Sequence, residues 1–163
     1  MTAYTYRMPS GIPGAVTRES VATIETQVLN SAAAFTAFGL FGKMSSGKFV
    51  PVGSGDAATA VYGILVRPFP TQGANASDPL GTAVPKTTGA ADVLRRGYIN
   101  VKNNYGTPAA GGQVYVRVGN ASSGKPIGGI EASADGSDTI AIAGCTFTGA
   151  ADASGNVEIG FNI

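Results

Sequence analysis

The sequence predicts an all-β protein, a β-sandwich or β-barrel with an extended N-terminal arm, and three observations carry that prediction. Apolar and polar residues alternate at period two in several short runs. Turn signals of Gly, Asn, Asp and Pro separate those runs. Charged residues make up only 13% of the chain, whereas 24 of its 163 residues are glycine, a balance that suits short strands and tight turns better than long amphipathic helices.

Residues 1–18 read as the arm. Tyr4, Tyr6 and Met8 stand among Pro9, Gly11, Pro13 and Gly14. Proline fixes φ and removes a donor, and glycine loosens the chain, so this stretch has no means of folding alone. It nonetheless carries large apolar and aromatic groups that disordered tails generally lack. The combination predicts docking on a neighbouring subunit.

Residues 19–163 follow as a single β domain. The 19–34 stretch carries two signals: Val21, Ile24 and Val28 fit a helical stripe, while Thr23, Thr26 and the lack of a clear cap favour an extended segment. The extended reading is preferred. Phe35–Met44 is aromatic and apolar, Lys48–Val52 follows a Ser-Ser-Gly turn, and Ala60–Val66 is a β-branched run closed by Pro68 and Pro70. Residues 71–90 form a long polar loop punctuated by Gly73, Pro79, Gly81, Pro85 and Gly89; loops of that length are usually functional or mobile.

The second half alternates more strictly. In Gly97–Lys102, Ile99 and Val101 oppose Tyr98, Asn100 and Lys102. Val114, Val116 and Val118 face one way, and Gln113, Tyr115 and Arg117 the other. Val157, Ile159, Phe161 and Ile163 oppose Glu158, Gly160 and Asn162, so the last strand is expected to run to Ile163. Each pattern places one face in a core and one outside. Asp135-Gly136 and Ser154-Gly155-Asn156 supply turns. The tetrapeptide Ser-Ser-Gly-Lys occurs at 45–48 and again at 122–125, and both copies read as hairpin turns.

Composition narrows the function classes. With 11 basic and 10 acidic residues the net charge is +1, and no basic block exists to neutralise phosphates, so no nucleic-acid partner is expected. A near-neutral surface is a solubility liability for a free monomer and suits a protein held against something else. No apolar signal core marks the N-terminus, and Ala32–Phe41 is too short to span a bilayer; a soluble protein made in a cytoplasm, with no membrane partner, is expected.

Catalytic signatures are weak. The sequence has no histidine, which removes Ser–His and Cys–His catalysis and most transition-metal sites. The single cysteine, Cys145, reads as a small buried strand residue rather than a nucleophile. Glu131, Asp135 and Asp138 are the closest carboxylate group. A glycosidase-like pair or a calcium site is one account of them, and turn-forming aspartate is the better one. Gly42–Phe49 and Gly119–Pro126 nearly match a phosphate-binding loop, but Phe49 and Pro126 stand where Ser or Thr must hold magnesium. Gly53-Ser54-Gly55 followed by Asp56-Ala57-Ala58 looks like a dinucleotide fingerprint, yet β-forming residues follow where a helix is required. No catalytic residue, metal or cofactor is therefore expected. Arg95-Arg96, the one adjacent basic pair, reads as solvated at a strand start and also as an interface candidate.

The segments Tyr6–Gly14 leading to Thr17-Arg18-Glu19, Tyr62–Arg67, Asp92–Val101, Gly112–Arg117, and Phe147–Gly149 through Asn156–Ile159 together resemble the capsid cement, or decoration, proteins of tailed bacteriophages. The resemblance runs through most of the chain and rests on strands and turns, not on a catalytic motif. It implies a β-barrel or sandwich on the outer face of a virion, binding the major capsid protein across adjacent capsomers. It also implies association with other copies as dimer or trimer, without a cofactor. On that footing Tyr4, Tyr6, Met8, Pro9 and Ile12 are the expected interface residues of the arm, with Arg95 and Arg96 on the domain. The alternative is a carbohydrate-binding or adhesin-like module of a tail or fibre, with Tyr98, Tyr105 and Tyr115 as sugar platforms. The lack of tryptophan, the commonest such platform, weighs against it.

Overall fold

The structure, a computed structural model, describes residues 11–68 and 83–163. Nine strands occur among them: β1 (Thr23–Val28), β2 (Phe41–Ser45), β3 (Lys48–Pro51), β4 (Val61–Leu65), β5 (Ala90–Tyr105), β6 (Gln113–Arg117), β7 (Ile130–Glu131), β8 (Thr139–Phe147) and β9 (Asn156–Phe161). Three single turns of 3-10 helix, Glu19–Val21, Ala58–Ala60 and Gly136–Asp138, connect them. The all-β expectation holds, and the 19–34 stretch contains a strand, β1.

One strand organises the whole sheet. β5 is 16 residues long, and each half of it belongs to a different closed ring of strands. Its C-terminal half pairs with β9, β9 with β8, β8 with β6, β6 with β7, and β7 returns to β5 in parallel. Its N-terminal half lies between β1 and β4. From β4 the sheet continues through β2 to β3, and a parallel bridge from Phe49 to Leu29 brings it back beside β1. Closure of this kind removes exposed sheet edges.

Each ring has its own core. Ile99, Val101, Val114, Val116, Ile130, Phe147, Val157 and Ile159 fill the larger cluster, which extends past β5 to Phe41, Ile64 and Leu94. Phe41 meets Phe161 edge-on, with ring centroids 5.5 Å apart. Leu29, Phe35, Phe38, Leu40, Phe49, Leu65 and Val93 form the second, where Phe35 stacks on Phe49 at 4.9 Å. Burying a side chain of this size contributes about 1.5–3 kcal/mol, so the two clusters dominate the stability of the fold.

Both Ser-Ser-Gly-Lys copies are tight turns. At the first, Ser46 and Gly47 take φ of 48° and 74°, the left-handed pair that a two-residue hairpin between β2 and β3 demands. At the second, Ser122 and Lys125 exchange backbone hydrogen bonds of 3.2 and 2.9 Å. Lys48 therefore opens a strand, and no phosphate-binding helix follows it.

Three strand assignments need correction. β9 ends at Phe161, and Ile163 lies beyond it, 55% exposed; Asn162, at φ 55°, turns the chain out of the sheet. Asn100 is buried on the face expected to be solvated, because residues 11–15 cover it. Arg117 points away from the barrel core as its alternation predicts, yet it is only 1% exposed. The segment after β6 folds back over it, and the carbonyls of Gly119 and Asn120 accept from its guanidinium. Of the long polar loop expected at 71–90, residues up to 82 lie outside the described residues, and Ala90 already belongs to β5.

Candidate functional site

The surfaces open to a partner follow from how residues 11–18 join the domain. Gly14 donates its N–H to Asn100 O at 2.8 Å, Asn100 donates to Ala15 O at 2.9 Å, and Thr17 donates to Tyr98 O at 3.1 Å. Val16 and Ile99 form an antiparallel bridge. The segment thus lies along β5 as a short extra strand. Arg67 clamps its other side: its N–H donates to Gly14 O at 2.8 Å, its Nε donates to Pro13 O at 3.0 Å, and its guanidinium sits 4.5 Å from the Phe38 ring centroid. Gly14 is required there. Its φ is +89°, and a Cβ would come within 2.6 Å of Phe38 Cβ.

Glu158 on β9 staples the following two residues. Thr17 Oγ1 donates to its carboxylate at 2.5 Å, and Arg18 donates through Nη2 at 2.7 Å and Nε at 3.3 Å. The Arg18 guanidinium also lies 3.8 Å over the Tyr98 ring. Burial pushes the Glu158 carboxyl up, but the hydrogen bonds from Thr17, Arg18 and Thr148 and the Arg18 charge outweigh it and hold the group below the ordinary glutamate range.

Of the expected interface residues, Tyr4, Tyr6, Met8 and Pro9 lie outside the described residues. Ile12 is half-buried, and its carbonyl accepts from Ala15 N–H at 3.1 Å in a turn before the paired stretch. Arg95 is half-buried, lying 3.5 Å over the Tyr62 ring and 3.6 Å from Glu25. Arg96 is exposed opposite Thr23. The adjacent arginines thus part company, as successive side chains of a strand do, one over Tyr62 and the other exposed.

Around β1 the usual polarity of a strand is reversed. Glu25 and Gln27 turn toward Tyr62, whose hydroxyl donates to Glu25 and accepts from Gln27 Nε2 at 3.0 Å. Ile24 and Val28 turn outward, 43% and 52% exposed, with Val21 just before the strand 44% exposed.

The three carboxylates singled out by spacing come together, but on an arginine. Glu131, fully buried, accepts from Arg117 Nε at 2.5 Å and from Nη2 at 3.1 Å. Asp135 accepts from Nη2 at 2.5 Å and from Lys125 at 3.3 Å, and Asp138 stands 4.0 Å from Nη1. Bonded donors occupy the oxygens a metal ion would need. The hydrogen bond from Arg117, with that from Lys125, holds the Asp135 carboxyl below its ordinary range. The tyrosines proposed as sugar platforms are similarly engaged: Arg18 covers Tyr98, and Lys125 Nζ lies 3.6 Å over Tyr105, while Tyr115 is half-buried in β6. Cys145 is buried in β8, and burial pushes its thiol pKa up, away from reactivity.

Sequence reading missed Arg67, Asn100 and Arg117 as organising residues. Arg67 had a signal in retrospect: a lone cation ending the apolar run 60–66. Asn100 and Arg117 had none, since their cover comes from segments distant in the chain.

The sequence matches the family model of the XM1 gp53 minor capsid protein over residues 1–161. A chain in the solved capsid of Myoviridae phage XM1 shares the fold, with a TM-score of 0.68 at 17% identity, covering 98% of this chain and 95% of that one. Comparison with curated proteins found no match.

Proposed function

The chain belongs to the XM1 gp53 minor capsid protein family, a structural component of a phage capsid, and from that membership we propose that it works as a cement. On this reading it sits on the outer face of the shell after synthesis in the host cytoplasm. There it binds the major capsid protein across neighbouring capsomers and associates with other copies of itself. The role calls for buried surface, not for chemistry.

The observation that carries this reading is the fixed root of the arm. Residues 13–18 are held by β5, Arg67 and Glu158, so the point at which residues 1–10 join the domain is set. Those ten carry Tyr4, Tyr6 and Met8 at alternate positions. In an extended chain alternate residues share a face, and aromatic anchors dominate interface energetics. An arm that orders on docking gives up entropy and wraps a large surface in return. Repetition over a particle turns a modest contact into durable decoration. Residues 71–90 are the second proposed contact, and protection from protease on capsid binding would support it.

The test deletes residues 2–10 and leaves the root intact. Loss of co-sedimentation with expanded capsids, with an unchanged β-sheet circular dichroism spectrum, is the expected result. Unchanged affinity of the truncated chain overturns the arm as the docking element.

A further inference from the structure

We propose that Arg67 is a positioning residue that couples the root of the arm to residues 83–86, so that the two are ordered together and released together. The coupling is a property of the free chain. Its use on a capsid rests on the cement reading, because residues 83–86 belong to the second proposed contact.

The first observation is that one side chain serves both segments. Arg67 Nε donates to Pro13 O at 3.0 Å, and its Nη1 reaches Ala83 O at 3.5 Å. The backbone N–H of the same residue donates to Gly14 O at 2.8 Å. A guanidinium is planar, and its donors stand in a fixed fork. The Phe38 ring, 4.5 Å away, sets the tilt of that plane. Motion of Pro13 therefore turns the donor that is aimed at Ala83.

The second observation is burial. Arg67 is only 9% exposed, and burial pushes its pKa down. A cation taken out of water is costly to hold unless acceptors surround it. Departure of the root removes one of those acceptors, and the side chain then gains by swinging toward water. It cannot do so without leaving Ala83 and Phe38. The charge thus ties the two segments to one event. A lysine at this position keeps the charge but loses the fork that reaches both carbonyls.

The third observation is what the coupled segment carries. Val84 is 74% exposed, and Lys86 is exposed beside it. Phe38 and Val84 each line both of two neighbouring cavities, about 360 and 260 Å³, so a shift at Arg67 reaches the walls of both. The far end of the segment is held separately: Pro85 is buried, and Gly89 O accepts from Leu29 N–H at 2.8 Å. Ala83, half-buried against the second core, is the end that answers to Arg67. The root therefore sets how Val84 is presented.

Backbone order parameters of the full chain, measured in solution without capsids, test the coupling. Thr17→Pro removes the donor to Tyr98 O and loosens the root at a residue that bonds to neither Arg67 nor Ala83. The expected result is that order parameters at Ala83 and Val84 fall from about 0.85 toward 0.6, together with those at Gly14 and Ala15. Arg67→Lys is expected to give the same fall at both segments. Adding Thr17→Pro to it lowers Ala83 and Val84 no further. A residue that merely props up the core would lower the thermal midpoint in Arg67→Lys and leave Ala83 and Val84 indifferent to Thr17→Pro. That outcome overturns the proposal, as does a double variant whose effects at Ala83 and Val84 simply sum. Co-sedimentation with expanded capsids reads the cement role separately: a chain that shows the coupling and does not bind capsids removes that role and leaves Arg67 as the link.

Discussion

Arg117 and Glu131 form an ion pair, Nε to Oε1 2.5 Å, with side chains only 2% and 0% exposed. Each group is costly to bury alone and tolerable together, because removing one leaves the other as an uncompensated charge. Arg117→Met or Glu131→Leu alone is expected to cost about 3–5 kcal/mol, while the double variant Arg117→Met/Glu131→Leu costs far less than the sum of the two. Urea titration of the four proteins closes the cycle. Simple additivity would mean that the pair is not coupled.

Acid should loosen the arm root before it melts the barrels. Glu158, Asp56 and Asp135 all have folded pKa values below their ordinary ranges. For Asp56, burial pushes the carboxyl up, and the bonds from Lys43 and Gly53 more than offset it. A depressed folded pKa gives stability that is present above the unfolded pKa, near 4, and lost as pH falls through the folded value. Amide exchange at Thr17, which is tied to the Glu158 side of the root, is expected to accelerate below about pH 4 while the β5–β9 amides stay protected. Simultaneous loss of both would contradict a separable root.

The Cys145 thiol is expected to resist labelling in the native state. It is 1% exposed, and burial disfavours the thiolate. Reaction with an aromatic disulfide reagent should be complete in denaturant and slow without it, with a native rate that follows opening of β8. Rapid native labelling would show β8 to be loosely held.

Gly14→Ala should release the root without unfolding the domain. The substitution meets a φ of +89° and places a Cβ 2.6 Å from Phe38 Cβ and 3.1 Å from Arg67 N. Strain of this kind costs about 1–3 kcal/mol. Detachment of residues 13–17 relieves it, so the thermal midpoint should fall modestly while exchange at Thr17 and Asn100 rises sharply. A midpoint drop with no local change in exchange would place the strain elsewhere.

Much of this architecture was legible where one sheet face meets a core and the other meets water. Val114 and Val116, and Val157 and Ile159, were placed inward by alternation, and they are. The Ser46-Gly47 turn was legible because a tight hairpin tolerates few residue types. β5 was seen only in part. Val93 and Leu94 are both buried, and so are Ile99, Asn100 and Val101 in succession, because the strand is covered on both faces and alternation disappears. Arg117 defeated the same rule from outside the strand: its cover comes from residues that the period of β6 does not encode. The reversed polarity of β1 blurred the 19–34 segment for a related reason, since its apolar residues mark an outer face.

Because residues 14–17 run antiparallel along the middle of β5, the arm is joined to the domain as a lap joint. Tension drawn along the strand axis loads the bonds at Gly14, Ala15 and Thr17 together instead of peeling them one by one. The load passes straight into the one strand that both rings share, so a tug on the tether is spread over each ring at once.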